Sequence, residues 1–205
     1  MLRIWIMPIG GLQKMVEAEM HVKLPYERIG VIIGSDGSVK RTLEDALQVA
    51  ISVDSSTGDI CLKMNTELHD PTIIFRARDI ITAIGRGFPP KKAIKLLDEN
   101  FSLRILDLKD YFGRSQSDIK RIKGRIIGES GKTRKTIEEL TWAEISVYGD
   151  TIAIIGEPEQ LRVAEEAINM LIRGMQHRSV YKFLYREREG LKRSHIELWD
   201  KKKVS

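Results

Sequence analysis

The sequence predicts an α+β protein that contains two copies of one small domain. Residues 126–147 repeat residues 32–53 at a constant offset of 94, and nine of the 22 paired positions are identical without a gap. The apolar pattern around each copy predicts the same order of elements, namely strand, helix, helix, strand, strand and helix. A chain of 205 residues is long enough to give each of two such domains its own hydrophobic core.

The first copy has three predicted strands and three predicted helices. The strands are expected over 19–24, 49–53 and 60–64, and the first two helices over 28–33 and 39–47. The second and third strands form a hairpin across the turn sequence DSSTGD. The last helix is predicted to begin with Asp70 as N-cap and Pro71 in its first turn, and to end near Gly85.

The second copy repeats this order with a shorter hairpin. A strand is expected over 101–108, helices over 117–127, 132–140 and 158–173, and a hairpin that turns at Gly149-Asp150. Each domain is therefore predicted as a three-stranded sheet packed by three helices. The predicted boundaries are an extension 1–14, a first domain 15–88, a linker 89–100 with a helix at 91–97, a second domain 101–175 and a basic helical tail 176–205.

The composition is typical of a globular protein, with 42% hydrophobic and 31% charged residues. No apolar run approaches the roughly 20 residues needed to span a bilayer, and the first residues lack the pattern of a secretory signal. We therefore expect a cytoplasmic protein. The single cysteine excludes an intramolecular disulfide and a cysteine-rich zinc site. The four histidines, His21, His69, His177 and His195, show no metal-ligand spacing, so we expect no metal and no cofactor.

The positive charge is concentrated in two blocks. Residues 114–135 carry 8 basic and 2 acidic side chains, and residues 173–205 carry 10 basic and 4 acidic ones. Between them, residues 136–172 carry 1 basic and 8 acidic side chains. The first positive block surrounds the sequence GESGKT, which suggests a polyanionic partner.

The sequence GESGKT resembles a nucleotide-binding loop but does not meet its requirements. That loop needs a glycine five residues before the Gly-Lys pair, after a buried strand. Ile126 stands at that position, and the preceding segment is cationic and helical in pattern. The other copy reads Gly37-Ser38-Val39, without the lysine. No catalytic constellation is apparent, and we expect no enzymatic activity.

What both copies share is Gly-x-x-Gly between two short helices. Glycines adopt positive φ and allow close approach of a polyanion, and the second helix directs its free N–H groups at phosphates. These residues resemble the KH family of type I, whose signature is an apolar pair, Gly-x-x-Gly and a basic apolar helix. The resemblance implies that the loop clamps about four nucleotides of single-stranded RNA.

The resemblance places the RNA-binding residues position by position. In the second copy the clamp is Gly128, Glu129, Ser130 and Gly131, with phosphate contacts from Lys123, Arg125, Lys132, Arg134 and Lys135, and a groove lined by Gly124, Ile127, Ile137, Ile145 and Val147. In the first copy the clamp is Gly34, Ser35, Asp36 and Gly37, with Arg28, Lys40 and Arg41 nearby. Asp36 is interpreted as a helix cap in a loop that binds RNA less tightly. The second copy is therefore the predicted main reader.

The two modules, together with segments 145–174 and 180–184, resemble archaeal relatives of the partner-of-Nob-one family, KH proteins of small-subunit assembly. This implies binding of single-stranded RNA near the 3′ end of small-subunit ribosomal RNA. It further implies the endonuclease that matures this RNA and the alpha subunit of translation initiation factor two as partners. The alternative hypothesis is an adaptor whose KH folds serve protein contacts, for which the acidic closing helix with Glu157, Glu159, Glu165 and Glu166 is a candidate surface. Trp142 is interpreted as support or as a base-stacking platform, and the tail as a solvated helix or an RNA-contacting extension.

Overall fold

The computed structural model describes residues 3–6, 16–64 and 72–202, with side chains for 18–64 and 72–192. The chain divides into two compact units, residues 1–98 and residues 99–205. None of the helices in these described ranges is long and apolar enough to cross a membrane. The two units repeat the order strand, helix, helix, strand, strand and helix, which agrees with the predicted α+β architecture.

The described residues of the first unit form four strands and four helices. They are β1 Arg3–Ile6, β2 Val16–Lys23, α1 Tyr26–Ile33, α2 Ser38–Leu47, β3 Val49–Asp54, β4 Asp59–Met64, α3 Ile73–Gly85 and α4 Pro90–Ala93, the last followed by a 3₁₀ turn Ile94–Leu97. Its sheet has the order β1-β2-β4-β3, and all neighbouring strands are antiparallel. Strands β2, β4 and β3 are the three that the sequence predicts. Strand β1 extends the sheet at one edge, within the segment predicted only as an extension.

The end of the first unit differs from the predicted boundaries. The helix expected to begin at Asp70 and Pro71 begins at Ile73, and those two residues lie outside the described ranges. The predicted linker helix is present as α4 and its 3₁₀ turn, with Ala93 and Leu96 buried. Because the first unit extends to residue 98, this linker belongs to it up to that residue.

In the second unit, residues 99–202 form three strands and five helices. They are β5 Ser102–Asp107, α5 Leu108–Phe112, α6 Gln116–Ile127, α7 Lys132–Thr141, β6 Glu144–Tyr148, β7 Thr151–Gly156, α8 Pro158–Ile172 and α9 His177–Lys202. Its antiparallel sheet has the order β5-β7-β6. Helix α5 is not predicted by the sequence, where its first residue reads as the end of a strand. The Asp107 carboxylate accepts a hydrogen bond from the Lys109 backbone N–H over 2.9 Å and begins the helix at that point.

Apolar helix faces and strand faces meet in one core per unit. In the first unit Ile32, Leu43, Ile60 and Ile80 are almost fully buried. The corresponding core of the second unit includes Ile126, Ile137, Ile152, Ile154 and Ile168. Helix α9 joins this second core through Val180, Leu184 and Leu191, so the tail packs as part of the second unit.

Candidate nucleic-acid interface

The two Gly-x-x-Gly loops have the same backbone conformation. Gly34 and Gly128 have φ of 71° and 73°, and Gly37 and Gly131 have φ of 73° and 80°. Between them, Asp36 and Ser130 share a left-handed φ of 52°. Two chain segments with different side chains therefore form one loop geometry, because the glycines and the flanking helices determine the backbone.

The first glycine of each loop cannot be replaced without strain. A Cβ atom on Gly34 would lie 2.9 Å from the Val39 backbone nitrogen, and one on Gly128 would lie 2.7 Å from that of Thr133. The second glycine of each loop has open space around it but requires its positive φ. The loop thus lies directly against the start of the helix that follows it.

That helix begins without a side-chain cap in both units. The N-cap residues of α2 and α7 are Gly37 and Gly131, and neither helix start has a capping side chain. The interpretation of Asp36 as a cap is therefore wrong. An uncapped helix start with its positive dipole end is suited to an anion such as a phosphate.

A third glycine in each unit leaves the last turns of the helix before the loop without a side chain at one exposed position. The carbonyl oxygens of Gly30 and Gly124 accept the backbone N–H groups of Gly34 and Gly128 over 2.9 and 2.8 Å. Both glycines are exposed, and a Cβ atom on either would meet nothing within 4 Å. Open space therefore lies beside each loop, where the resemblance places a base.

The glutamate shared by the two repeats joins the second helix to the sheet. The Glu44 carboxylate accepts the Ile51 backbone N–H over 2.8 Å, and the Glu138 carboxylate accepts that of Ile145 over 2.9 Å. The sequence repeat shows that the glutamate occurs in both copies, but it does not indicate the hydrogen bond from the strand backbone. The contact holds the helix that carries the cations against the strand beside it.

Part of the predicted groove wall lies in the core. Ile137 and Ile145 are 0% and 2% exposed, so their side chains pack inside the second unit and do not face a groove. Ile137 lies on the buried face of α7 with Thr133 and Leu140, and Ile145 lies next to the buried Ser146 in β6. Val147 is half-buried against the core, whereas Ile127 is 36% exposed and Gly124 is open. Ile127 and Gly124 are thus the accessible part of the predicted wall.

The second loop leaves two of its cations available. Lys132 and Lys135 are exposed, and within the part of the chain that the structure describes neither has an ion-pair partner. They line a shallow, open depression together with Glu129, Ser130, Thr136 and Glu139. Lys123 is half-buried and adds to the lowering of the Asp150 pKa, which arises first from the Lys109 hydrogen bond.

Two other predicted phosphate contacts already have structural partners. The Arg125 guanidinium donates to the Met175 carbonyl over 2.6 Å, which ties the end of α6 to the connection between α8 and α9. Arg134 lies 3.9 Å from the Glu138 carboxylate and donates to the Ile145 carbonyl over 3.4 Å. These arginines stabilise the walls of the site, while the two lysines face solvent.

The cations of the first loop are bonded to their own unit. Arg41 donates to the Gly37 carbonyl over 3.4 Å and to the Asp36 carbonyl, and Lys40 lies 3.8 Å from Glu44. Arg28, which was expected near Asp36, instead donates to the Ile84 and Phe88 carbonyls over 2.8 and 2.7 Å. The first loop therefore offers less free positive charge than the second.

Helix α9 contacts the second loop from behind, which the sequence does not predict. The hydroxyl groups of Tyr181 and Thr133 lie 3.1 Å apart, and Thr133 is the residue that packs against Gly128. His177 Nε2 lies 2.9 Å from the Arg125 carbonyl oxygen. His177 and Tyr181 are four residues apart and share one helix face, so the only sequence signal is this spacing.

Two features singled out in the sequence lie away from the loops. Trp142 ends α7 with a left-handed φ of 61°, at the opposite end of the helix from the loop. A ten-residue helix is about 15 Å long, so Trp142 is separated from the loop by about that distance along α7. The acids of α8 have partners: Glu159 with Arg162, Glu165 with Arg104, Glu166 with Arg173, and Glu157 in a capping box.

The outer face of the first sheet carries a cluster that sequence spacing does not indicate. The Cys61 thiol donates to the Glu19 carboxylate over 2.8 Å, and His21 Nε2 lies 3.4 Å from the same oxygen. Lys63 approaches that oxygen to 3.8 Å. Burial, followed by the Glu19 hydrogen bond, raises the pKa of Cys61 to about 11, so the thiol is protonated at neutral pH. The cluster exists because His21 and Cys61 are paired across β2 and β4.

Comparison with known protein families matches both units to KH domains. Residues 102–189 match the Eukaryotic type KH-domain (KH-domain type I), and residues 19–99 match the Krr1 KH1 domain. A KH domain-containing protein of Methanocaldococcus jannaschii is 45% identical over 197 residues, which are 96% of this chain and 86% of the relative.

Two further relatives carry functional descriptions. The RNA-binding protein pno1 of Dictyostelium discoideum is 27% identical over 161 residues, which are 78% of this chain and 67% of that protein. A chain in the crystal structure of the a/eIF2alpha-aDim2p-rRNA complex from Pyrococcus horikoshii is 43% identical with a TM-score of 0.80. The similarity covers 85% of this chain and 96% of that chain.

Proposed function

Because the chain belongs to the archaeal double-KH proteins related to the partner-of-Nob-one family and acts in RNA binding for ribosome biogenesis, we propose that its second KH domain is the main RNA reader. The single observation that carries this proposal is the free charge at the second loop. Lys132 and Lys135 are exposed and without ion-pair partners in the described residues, whereas Arg41 of the first loop bonds to its own loop carbonyls.

The ligand is single-stranded RNA, for a reason of geometry. A phosphate chain can follow the uncapped start of α7 and the two lysines, and an unpaired base can lie beside the open face of Gly124 and Ile127. Glu129 opposes phosphate binding, but it lies among more cations than anions. Nucleotide hydrolysis is not part of the proposal, since the Gly-Lys-Thr sequence lacks the preceding glycine that it needs.

The proposed target is the 3′ end region of small-subunit ribosomal RNA. The support is the resemblance to the partner-of-Nob-one lineage and the likeness to a chain found in a complex with rRNA. The alpha subunit of translation initiation factor two is a proposed protein partner on the same basis. The endonuclease that matures this RNA is a second proposed partner, and the cytoplasm is the proposed location.

A protein-adaptor function is the second candidate, and one observation favours it. The first loop has the full Gly-x-x-Gly geometry while its cations are bonded within the unit. In this candidate function, the first KH domain binds a protein partner and not a phosphate chain. The paired acids of α8 give this candidate less support than their number in the sequence suggests.

The test is RNA binding across a salt series with two matched loop variants. Ser130→Asp combined with Glu129→Asp, and Ser35→Asp alone, both produce a loop of Gly-Asp-Asp-Gly. Asp36 shows that an aspartate fits the dihedral angles of Ser130, so both variants keep the fold. An oligonucleotide that copies the rRNA 3′ end is titrated by fluorescence anisotropy, with a duplex of the same sequence as the control.

We expect log affinity of the wild type to fall with log salt at a slope of roughly −3, for about four contacted phosphates. The second-loop variant should lose about tenfold or more in affinity, and the first-loop variant about threefold or less. Equal losses would contradict the second domain as the main reader. If neither variant loses affinity, the loops do not hold the RNA and the adaptor function replaces the proposal.

A further inference from the structure

Helix α9 presents one flank beside the second loop. Its Val180, Leu184 and Leu191 are buried in the core, which fixes the orientation of the helix. Tyr181 and His177 contact the two sides of the loop through Thr133 and the Arg125 carbonyl. The exposed residues next to Tyr181 on the helix surface therefore lie beside the end of the proposed RNA site.

These neighbours are cationic and aromatic. Arg178 is three residues before Tyr181, Tyr185 is four residues after it, and Lys182 is four residues after Arg178. All three are exposed, and the Tyr185 side chain is 59% exposed. Within the described part of the chain, neither Arg178 nor Lys182 has a carboxylate partner. Two like charges at this spacing destabilise a helix unless an anion lies against them.

A fourth residue on this flank is unsatisfied. Arg188 lies seven residues after Tyr181, two helical turns along the same face. Its Nε atom is buried without a hydrogen-bond partner, alone among the side-chain nitrogens and oxygens of the described residues. A buried guanidinium nitrogen without an acceptor is costly.

The two acids of α9 whose side chains the structure describes do not pair with this flank. Glu187 is bonded to Arg162 of α8 and to Arg186, and Glu189 is paired with Lys192 over 3.0 Å. The basic flank, defined as Arg178, Lys182, Tyr185 and Arg188, thus begins at the second loop and continues along α9. We propose that the basic flank binds the RNA strand where it continues beyond the nucleotides held by the second loop.

Single-stranded RNA is the occupant that the chemistry favours. The flank adjoins the start of α7, so one phosphate chain can pass from the loop to Arg178 and Lys182 without a gap. Tyr185 adds an exposed aromatic ring, on which a base can stack. An acidic protein segment would use the cations but not this continuity with the loop.

This inference rests on the proposed function, and the test separates the two by RNA length. Wild type and variants of the full chain are titrated with a four-nucleotide RNA and with one of about ten nucleotides, both from the rRNA 3′ end. The variant is Arg178→Ala with Lys182→Ala. Its charge-matched control is Arg104→Ala with Lys109→Ala, which removes one arginine and one lysine that pair with Glu165 and Asp150 away from α9.

The variant should bind the short RNA like the wild type and bind the long RNA about tenfold more weakly, with a salt slope smaller by roughly 1.4 for two lost phosphate contacts. The control should change neither. Tyr185→Ala should weaken only the long RNA, by a smaller factor. An unchanged affinity for the long RNA, or an equal loss on both RNAs, overturns the inference while the proposed function stands. If the wild type binds neither RNA, both fail.

Discussion

The first and second Gly-x-x-Gly loops share a backbone but differ in what their side chains can do. Asp36 and Ser130 have the same φ, and both loops lead into an uncapped helix. In the first unit Arg41 folds back onto the loop carbonyls, whereas the matching Lys135 of the second unit is exposed without a partner among the described residues. A shared motif therefore determines loop geometry, and the bonding of nearby cations determines the charge available to a ligand.

The two loops also differ in what lies behind them. Thr133 touches Gly128 on one side and the hydroxyl of Tyr181 in α9 on the other. The matching residue of the first unit is Val39, which has no hydroxyl for such a bond. The second loop is thus held by an additional helix, which favours a fixed geometry for binding.

The largest expected effect comes from the first glycine of each loop. Gly128→Ala and Gly34→Ala should each destabilise the chain by about 1–3 kcal/mol, because the Cβ atom meets backbone at a positive φ. Only Gly128→Ala should also abolish RNA binding. Gly30→Ala in α1 of the first unit is the control, and it should stabilise the fold by roughly 0.5–1 kcal/mol since a helical glycine becomes alanine in open space.

These three variants are compared by urea unfolding and by anisotropy with the 3′-end oligonucleotide. A loss of RNA affinity with Gly34→Ala that equals the loss with Gly128→Ala would remove the functional difference between the two loops.

The next effect concerns the free cations. Lys132→Ala with Lys135→Ala should lower RNA affinity about tenfold and reduce the salt slope by roughly 1.4, because two phosphate contacts are lost. The matched variant, Lys40→Ala with Arg41→Ala, removes the same charge from the first loop and should change the slope by less than about 0.5. Salt titrations of both variants measure this directly, and similar slopes would show that internal bonding does not limit the first loop.

A smaller effect is expected at the contact behind the second loop. Tyr181→Phe removes the hydroxyl next to Thr133 and should lower the free energy of unfolding by about 1 kcal/mol. Tyr185→Phe, at an exposed ring on the same helix, is the control and should leave stability unchanged. Equal unfolding curves for all three proteins would show that the hydroxyl contact does not hold the loop.

The smallest expected effect concerns the reactivity of the Cys61 thiol in the first unit. Since burial and Glu19 raise the pKa of Cys61 to about 11, the thiol should react slowly with iodoacetamide at pH 8. The rate should rise with pH and level off only above about 11. Glu19→Gln removes a hydrogen-bonded negative charge, which lowers the thiol pKa and accelerates the reaction at pH 8. Mass spectrometry of the whole chain measures the alkylation of this single cysteine. An alkylation rate that levels off near pH 9 would contradict the Cys61–Glu19 contact.

The sequence alone determined the domain repeat, the order of elements and the position of both loops. It could do so because glycine spacing, apolar periodicity and turn residues act locally along the chain. Its boundaries for the second loop region agree with the structure to within one residue, from α6 at Gln116–Ile127 to α7 at Lys132–Thr141. It also located the positive charge around GESGKT, since charge is a property of composition.

Only the tertiary structure decided which of these residues are available. Ile137 and Ile145 turn into the core, Arg125 and Arg134 bond to backbone carbonyls, and Arg28 bonds at the end of α3. Tyr181, far along the chain, reaches the second loop through Thr133. Whether each of these side chains is buried or bonded depends on contacts between residues distant in sequence. A side chain can bind a ligand only when it makes no such contact within the protein.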